Sequence, residues 1–487
     1  MSERVSQAPA GAGEVAAEAS GTAAPAMGGL RGNVLGLPHA VVISVAVMSP
    51  AASIFYNTIP QAGAAGAAIP LCFAIGFVVA LLVANQYSEL SRELPSSGSA
   101  YTFVTVGLGR RWGFMVAWIG VLALALGVPY SFVLMSASLE TLINRWAGIN
   151  LPWSAYFVVA TALVFALCYW GIRQSLRIDL TFLAVEFAAC LAFAGVVLFH
   201  VGSGSGLSAL PFTPAGVPVT GDLTTGIVFA VLSFIGFETA ATLGEETRNP
   251  RRNIPWAVYG SMIVVGLFYV LLAYALTMGY GMSKMATGYA NDPAPFDTIA
   301  RNFGGSSFVA LVDLVAVASF FSAAVAIVNG GARMLFAASR DGALPRWLAW
   351  THPRRQTPAA AVAALCLVGL VPGIVLGLVL QPINAFGFFG FLDAFLVLLI
   401  YALVSAACFF FFWRQRRARF NVLRHGVVPA LGLLISLGIV AATAAQPGAA
   451  PLNWVPIVGG VWVALGIVAL LVTKGKLGDA PTRPIEP

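Results

Sequence analysis

Between Gly32 and Ser88 the chain carries no Asp, Glu, Lys or Arg. A run of that length is too long for one buried core helix and about right for two bilayer-crossing helices with a turn between them. The same shortage of charge holds along the whole chain. Of its 487 residues, 59% are hydrophobic and only 9% charged, whereas a soluble domain needs about a quarter charged to face water. The fold class is therefore an all-α polytopic membrane protein.

Residues 1–34 differ in character. They are rich in Ala, Gly, Ser and Glu with no apolar face, and read as a disordered cytoplasmic tail. They lack the basic start and short apolar core of a signal peptide. The five cysteines (Cys72, Cys168, Cys190, Cys366 and Cys408) all fall inside apolar runs without CxxC spacing, as small packing residues do.

Apolar runs bounded by Pro, Gly and charge give twelve spans, at roughly 39–60, 66–87, 112–142, 153–171, 178–201, 223–245, 256–279, 307–338, 358–380, 384–412, 427–445 and 452–473. With the N-terminus in the cytoplasm, only Arg145, Lys284 and Arg301 of the 26 Lys and Arg fall outside. That distribution obeys the positive-inside rule, and it fails if a span is added or lost early. Both termini are thus expected inside, with residues 35–473 forming one membrane domain and 474–487 a second cytoplasmic tail. The net charge of +7 is topological and gives no nucleic-acid footprint. Residues 88–111, between the second and third spans, are amphipathic and suit the interface. The basic segment WRQRRARFNVLRHG after the tenth span serves as an orientation anchor or a site for anionic lipid.

Several functions are excluded by what twelve spans would need. ATP-driven pumping wants a phosphate loop ending Gly-Lys-Ser/Thr, and none of the three lysines supplies it. The four histidines sit at span ends or in loops, with no HExxH, so nothing calls for a metal or cofactor. No repeated filter or ring of like charge suggests a channel. A secondary transporter remains, and such folds show two related halves with broken helices at matching positions.

Two breaks fit. VMSPAASIF in the first span places Pro50 where it removes a backbone donor and frees carbonyls near Ala46. VLSFIGFET in the sixth centres on Gly236. Both begin Val-x-Ser, at Val47 and Val231, an offset of 184 that also carries the second span onto the seventh. Half-helix N-termini favour a carboxylate and exposed carbonyls an ammonium, which points to amino acids or related amines.

FIGFETAATLGEETRNPRRNIPWAV, GGARMLFAASRDGALPRWLAWTHPRRQTP and ELSRELPSSGSAYTFV resemble the segments around helix 6, from the end of helix 8 into helix 9, and after helix 2 of the amino acid–polyamine–organocation permeases, in the same chain order. With the twelve-span layout, the resemblance runs from about Leu35 to Val472. It implies the five-plus-five inverted-repeat (LeuT-type) fold, with repeats at about 39–201 and 223–412 and two further helices at 427–473. It also implies a small-molecule substrate held between helices 1, 3, 6, 8 and 10 within the lipid bilayer, the cytoplasmic membrane being the expected location. Carried over residue by residue, the backbone of Ser49, Pro50, Ala51 and Ala52 faces the substrate carboxylate, with Ser53 next in line. The backbone of Phe234, Ile235 and Gly236 faces the amino group, and Phe234 or Phe237 gates the pocket. Many proton-coupled members carry a lysine where this chain has Glu186, so the lysine mechanism does not transfer.

Four carboxylates, Glu186, Glu238, Asp313 and Asp393, lie inside apolar runs, and no Lys or Arg is expected well inside any span to pair with them. A carboxylate so placed takes up a proton, meets a cation, or bonds a neighbouring helix. Glu186 and Glu238 are the expected coupling or gating groups. Asp313, Asp393, Ser319 and Ser322 follow as lesser candidates, with Asn329 a further polar wall residue. In GEETRNPRR the acids and arginines either pair into an inner latch or form a solvated boundary. The functional expectation is a proton-coupled symporter of amino acids or small amines. An exchanger of cationic amino acids or polyamines is the alternative, and a non-transporting amino acid sensor a more distant one.

Overall fold

The computed structural model describes residues 33–219, 221–292, 294–445 and 450–472, side chains at 172–177 excepted. The tails expected at 1–34 and 474–487 lie outside the described residues, apart from Asn33 and Val34. The first span is divided into α1 (Leu37–Met48), α2 (Pro50–Ala52) and α3 (Thr58–Ala65), with a π-helical turn at Ser53–Asn57. Then come α4 (Ile69–Glu93), α5 (Ala100–Leu108), α6 (Arg110–Ala147), α7 (Trp153–Trp170) and α8 (Ile172–Ser203). The sixth span is α9 (Leu223–Ser233) followed by a 3₁₀ helix at Phe237–Leu243. After it run α10 (Pro250–Tyr280), α11 (Pro295–Arg340), α12 (Ala359–Leu380), α13 (Pro382–Arg414), α14 (Val428–Ala445) and α15 (Val455–Val472).

Eleven helical stretches among the described residues are long and apolar enough to cross a bilayer. The first of them, Leu37–Glu93, has 57 residues, which at 1.5 Å each is far more than one crossing needs. It is interrupted at Gly66 (φ 57°, ψ −126°) before α4 begins, so it supplies two crossings. The chain is an all-α membrane protein with the five-plus-five inverted-repeat architecture plus two further helices.

Packing follows the repeats. α4 lies along α10, Gly266 admitting the Phe77 ring where a Cβ would stand 2.3 Å from it. α6 packs on α11 and α13, and α8 on α11. Such close approaches matter in lipid, where helix association depends on van der Waals fit because the tails are as apolar as the side chains. α15 is fixed to α6 by Trp118 and Trp462, whose rings stack at 4.8 Å while each indole N–H donates to the other's carbonyl at 3.0 Å. The outward faces carry exposed Leu163, Leu367, Val371, Leu434 and Ile457, a surface suited to hydrocarbon. The five cysteines are buried and free.

α5 departs from the interfacial expectation for residues 88–111. Ala100, Tyr101, Phe103 and Val104 are buried and the helix packs against α6 and α13.

Candidate functional site

The first break falls at Ser49, whose left-handed backbone (φ 46°, ψ 65°) ends α1 immediately before Pro50 starts α2. Proline has no N–H to continue the ladder, so the break forfeits no backbone hydrogen bond at residue 50. The groups opened by this break are taken up by the protein itself. The Ala51 N–H donates to Glu186 Oε1 at 2.5 Å, and the Ala52 N–H to Ser319 Oγ at 3.2 Å. The Ser319 hydroxyl in turn donates to the same Glu186 oxygen at 2.8 Å. The Ser49 N–H returns to Ala46 O, and the Ser53 N–H donates to Ser49 O. The Ala46 carbonyl expected to be free is therefore occupied.

The second break spans Phe234 to Gly236, with Gly236 at φ 116°. A side chain is excluded there, since a Cβ would lie 2.3 Å from Val47 Cγ1. The Gly236 N–H donates to Glu238 Oε2 at 3.0 Å, and the Tyr401 hydroxyl to the same oxygen at 2.6 Å. The carbonyl ends of the two half-helices meet at Tyr269, whose hydroxyl lies 2.7 Å from Met48 O and 2.9 Å from Ser233 O. Ser44 ties the breaks a second time, donating to Phe237 O at 2.6 Å and accepting the Ala240 N–H at 2.9 Å.

Between these breaks and α6, α11 and α13 lies a cavity of about 520 Å³. Its walls reach loops of both faces, from Ser99 on the side rich in Lys and Arg to Asp292 on the other. Ser49, Ser53, Ile235, Gly236, Glu238 and Asp393 line it. No Lys, Arg or His stands among its lining residues, and Asp393 has no hydrogen-bond or ion-pair partner among the described residues.

Several sequence expectations are corrected. Phe234 and Phe237 are buried and absent from the cavity wall. Phe234 packs on Phe73, Phe77 and Tyr269, and Phe237 on Tyr87 and Tyr401. The wall aromatics include Tyr56, Tyr130, Phe386 and Tyr401 instead. Pro50, Ala51 and Ala52 also stand behind the wall, with their available amides engaged. Asp313 is paired, 3.0 Å from Arg145, which also lies 3.5 Å from Asp297. Ser322 donates to Asp179 at 3.1 Å, and Asn329 bonds its own helix at Val325 O.

A buried arginine does lie inside a span. Arg333 on α11 is 2% exposed and bonds both oxygens of Glu246 and, at 2.5 Å, the Asn329 carbonyl. Its place near the end of a long apolar run disguised it as a loop charge. The acids of GEETRNPRR accordingly pair outside their own cluster. Glu246 takes Arg333, and Glu245 takes Arg340 at 2.9 and 3.0 Å together with the Ser97 hydroxyl at 2.8 Å. Burial raises the Glu245 carboxyl, but Arg340 and the Ser97 donors outweigh it and hold it below the ordinary carboxylate range.

Asp179, Tyr269 and Tyr401 were missed in the sequence. Asp179 is fully buried yet begins its span, where a charge reads as a boundary. The two tyrosines sit in apolar runs whose phenols only tertiary contacts could assign.

A helix bundle with two facing breaks beside a central cavity defines a secondary-transporter fold. The amino acid permease family profile matches residues 35–472, and the chain belongs to that family, as the resemblance implied. The branched-chain amino acid permease BcaP of Bacillus subtilis is 26% identical, with 87% of this chain and 89% of that protein covered. The low-affinity putrescine importer PlaP of Escherichia coli K12 is 23% identical, with 92% and 95% covered. Among solved structures, the nucleobase-cation-symport-1 transporter Mhp1, closed around bromovinylhydantoin, superposes with a TM-score of 0.56 at 14% identity, covering 89% of this chain and 99% of that one.

Proposed function

We propose that this chain is a proton-coupled symporter that imports amino acids or related small amines by alternating access. It would lie in the cytoplasmic membrane with both termini inside and its two repeats at about 39–201 and 223–412. The observation that carries the reading is the position of Glu186. One buried carboxylate on α8 holds the amide end of α2 directly and α11 through Ser319, so its charge bears on how the broken helix is tied to two continuous ones. Its second oxygen, Oε2, is buried without a partner among the described residues.

In the ionised state Glu186 accepts both donors, and charge-assisted bonds of this kind are about twice as strong as neutral ones. A proton arriving on the carboxylate weakens them and loosens α2 from α8 and α11. Glu238 stands at the second break as the matching group, held by Gly236 and Tyr401 while facing the cavity. A proton on Glu186 thereby favours a rearrangement of the broken helix whose Ser49 and Ser53 line the cavity, and symport requires that bound cargo favour the same one.

The test is uptake into proteoliposomes from a mixture of labelled amino acids and putrescine, under an inward proton gradient without sodium. Accumulation that a protonophore abolishes supports the proposal. Uptake only into vesicles preloaded with unlabelled cargo would make the protein an exchanger and overturn the symport assignment.

A further inference from the structure

We infer that the cleft where the end of α4, the start of α10 and the segment joining α13 to α14 meet binds the headgroup of an anionic phospholipid. It lies apart from the central cavity, on the side rich in Lys and Arg, and does not depend on which cargo the cavity takes.

The cleft measures about 340 Å³, and its lining includes Arg251, Arg416, Arg417, Arg419, Gln415 and a single acid, Glu93. The protein itself fixes its shape. Glu93 accepts from Arg416 at 3.2 Å and from Arg419 at 2.6 Å, which draws the segment onto the end of α4. Gln415 donates to the Val106 carbonyl at 2.8 Å, at the end of α5. Asn421 caps the turn that follows, accepting from the Leu423 and Arg424 amides at 3.0 Å each.

Two arginines are left over. Arg251 and Arg417 have no acid within ion-pair distance among the described residues. The Arg417 guanidinium lies over the Trp413 ring, 5.0 Å from its centre. Two uncompensated guanidiniums converging on one cleft suit a phosphate, whose oxygens accept their forked N–H groups. Arginines that served only to orient the chain would do so anywhere along the segment. That role does not require them to gather around a shared acid.

The surroundings favour a lipid over a soluble anion. Trp413 and, on the second turn of α10, Trp256 are exposed, and such rings sit at headgroup level in a bilayer. Val422 and Leu423, just beyond Arg419, are exposed as well. Apolar side chains beside a cationic cleft match a molecule that carries a phosphate and an acyl chain together. A soluble phosphate would engage the arginines and leave Val422 and Leu423 in water.

The experiment is a lipid titration of the full-length chain in detergent, with bound lipid counted by native mass spectrometry. Dioleoylphosphatidylglycerol is compared with dioleoylphosphatidylcholine, and inorganic phosphate is added as competitor. We expect the anionic lipid to bind at about tenfold lower concentration than the zwitterionic one, and phosphate not to displace it. Equal binding of the two lipids would overturn the inference. Displacement by phosphate would overturn it too, by assigning the cleft to a soluble anion. The double variant Arg251→Gln, Arg417→Gln removes both uncompensated charges without breaking an ion pair among the described residues. It should weaken the anionic lipid by about tenfold or more and leave the zwitterionic one unchanged. A charge-matched control, Arg111→Gln with Arg354→Gln, alters two exposed arginines outside the cleft and should stay near the wild-type value. Equal weakening by the two double variants would show a diffuse surface field in place of a site, against the inference. The wild-type lipid comparison and the phosphate competition decide the matter should a variant fail to fold.

Discussion

Glu186 and Ala51 are joined by a 2.5 Å hydrogen bond from backbone amide to carboxylate, across 135 positions of sequence. The bond places an acid of α8 at the start of α2, with the Ser319 hydroxyl on the same oxygen. Replacing Glu186 with Ala leaves buried donors on Ala51 and Ser319 without an acceptor. We expect a loss of about 2–3 kcal/mol, seen as a lower unfolding temperature in detergent. Glu186→Gln keeps a carbonyl oxygen and should lose clearly less. Equal losses in the two variants would mean that charge, not the accepting oxygen, holds the break together.

Arg333 and Glu246 form a buried ion pair where the stretch before α1 crosses the exit of the 3₁₀ helix, with Val34 and Leu35 both donating to the Glu246 carbonyl. Arg333→Met strands a buried carboxylate and should cost about 3–5 kcal/mol. The double variant Arg333→Met, Glu246→Leu should recover much of that loss, because no charge is left unpaired. A double-mutant cycle on thermal unfolding checks it, and strictly additive losses would contradict the pairing.

Gly236 holds φ 116°, and a Cβ there would meet Val47 at 2.3 Å. Gly236→Ala combines backbone strain with a clash between the two breaks, for a cost of about 2–4 kcal/mol. Transport should be lost even where the protein still inserts. Substantial retained uptake at wild-type expression would show that the break tolerates a side chain.

Glu245 carries the pH prediction. Its carboxyl lies below the ordinary range in the folded protein, so its contribution is present above the unfolded value, about 4.3, and is lost as pH falls through the lower folded value. Glu245→Gln should therefore unfold at a lower temperature than wild type at pH 7, by about 1 kcal/mol or less for so exposed a pair. The gap should close in acid below pH 4. A gap that persists unchanged in acid would contradict the pairing with Arg340.

The crossings were legible in sequence because hydrocarbon imposes a length and forbids charge, and both constraints are local. The breaks were legible too, since Pro50 and Gly236 are the residues that open a helix. What Glu186 touches was not legible. Its partner Ala51 is a backbone group with no side-chain signal, and Ser319 lies 133 positions away. Orientation about the helix axis escaped for the same reason. Phe234 and Phe237 flank the break as a gate would, yet the tight contact of Gly236 with Val47 leaves both rings buried against Phe73, Tyr87, Tyr269 and Tyr401. Arg333 was misplaced because it lies in the last turns of a long apolar run, where a charge reads as the start of the cytoplasmic loop.

The most direct test of the account is the proton dependence of accumulation in wild type and in Glu186→Gln, measured in the same proteoliposomes with labelled putrescine. Wild type should concentrate the label under an inward proton gradient and lose it when a protonophore is added. Glu186→Gln should exchange label with preloaded cargo but fail to concentrate it. Accumulation by Glu186→Gln at the wild-type level, with the same dependence on the gradient, would contradict the central role given to this carboxylate.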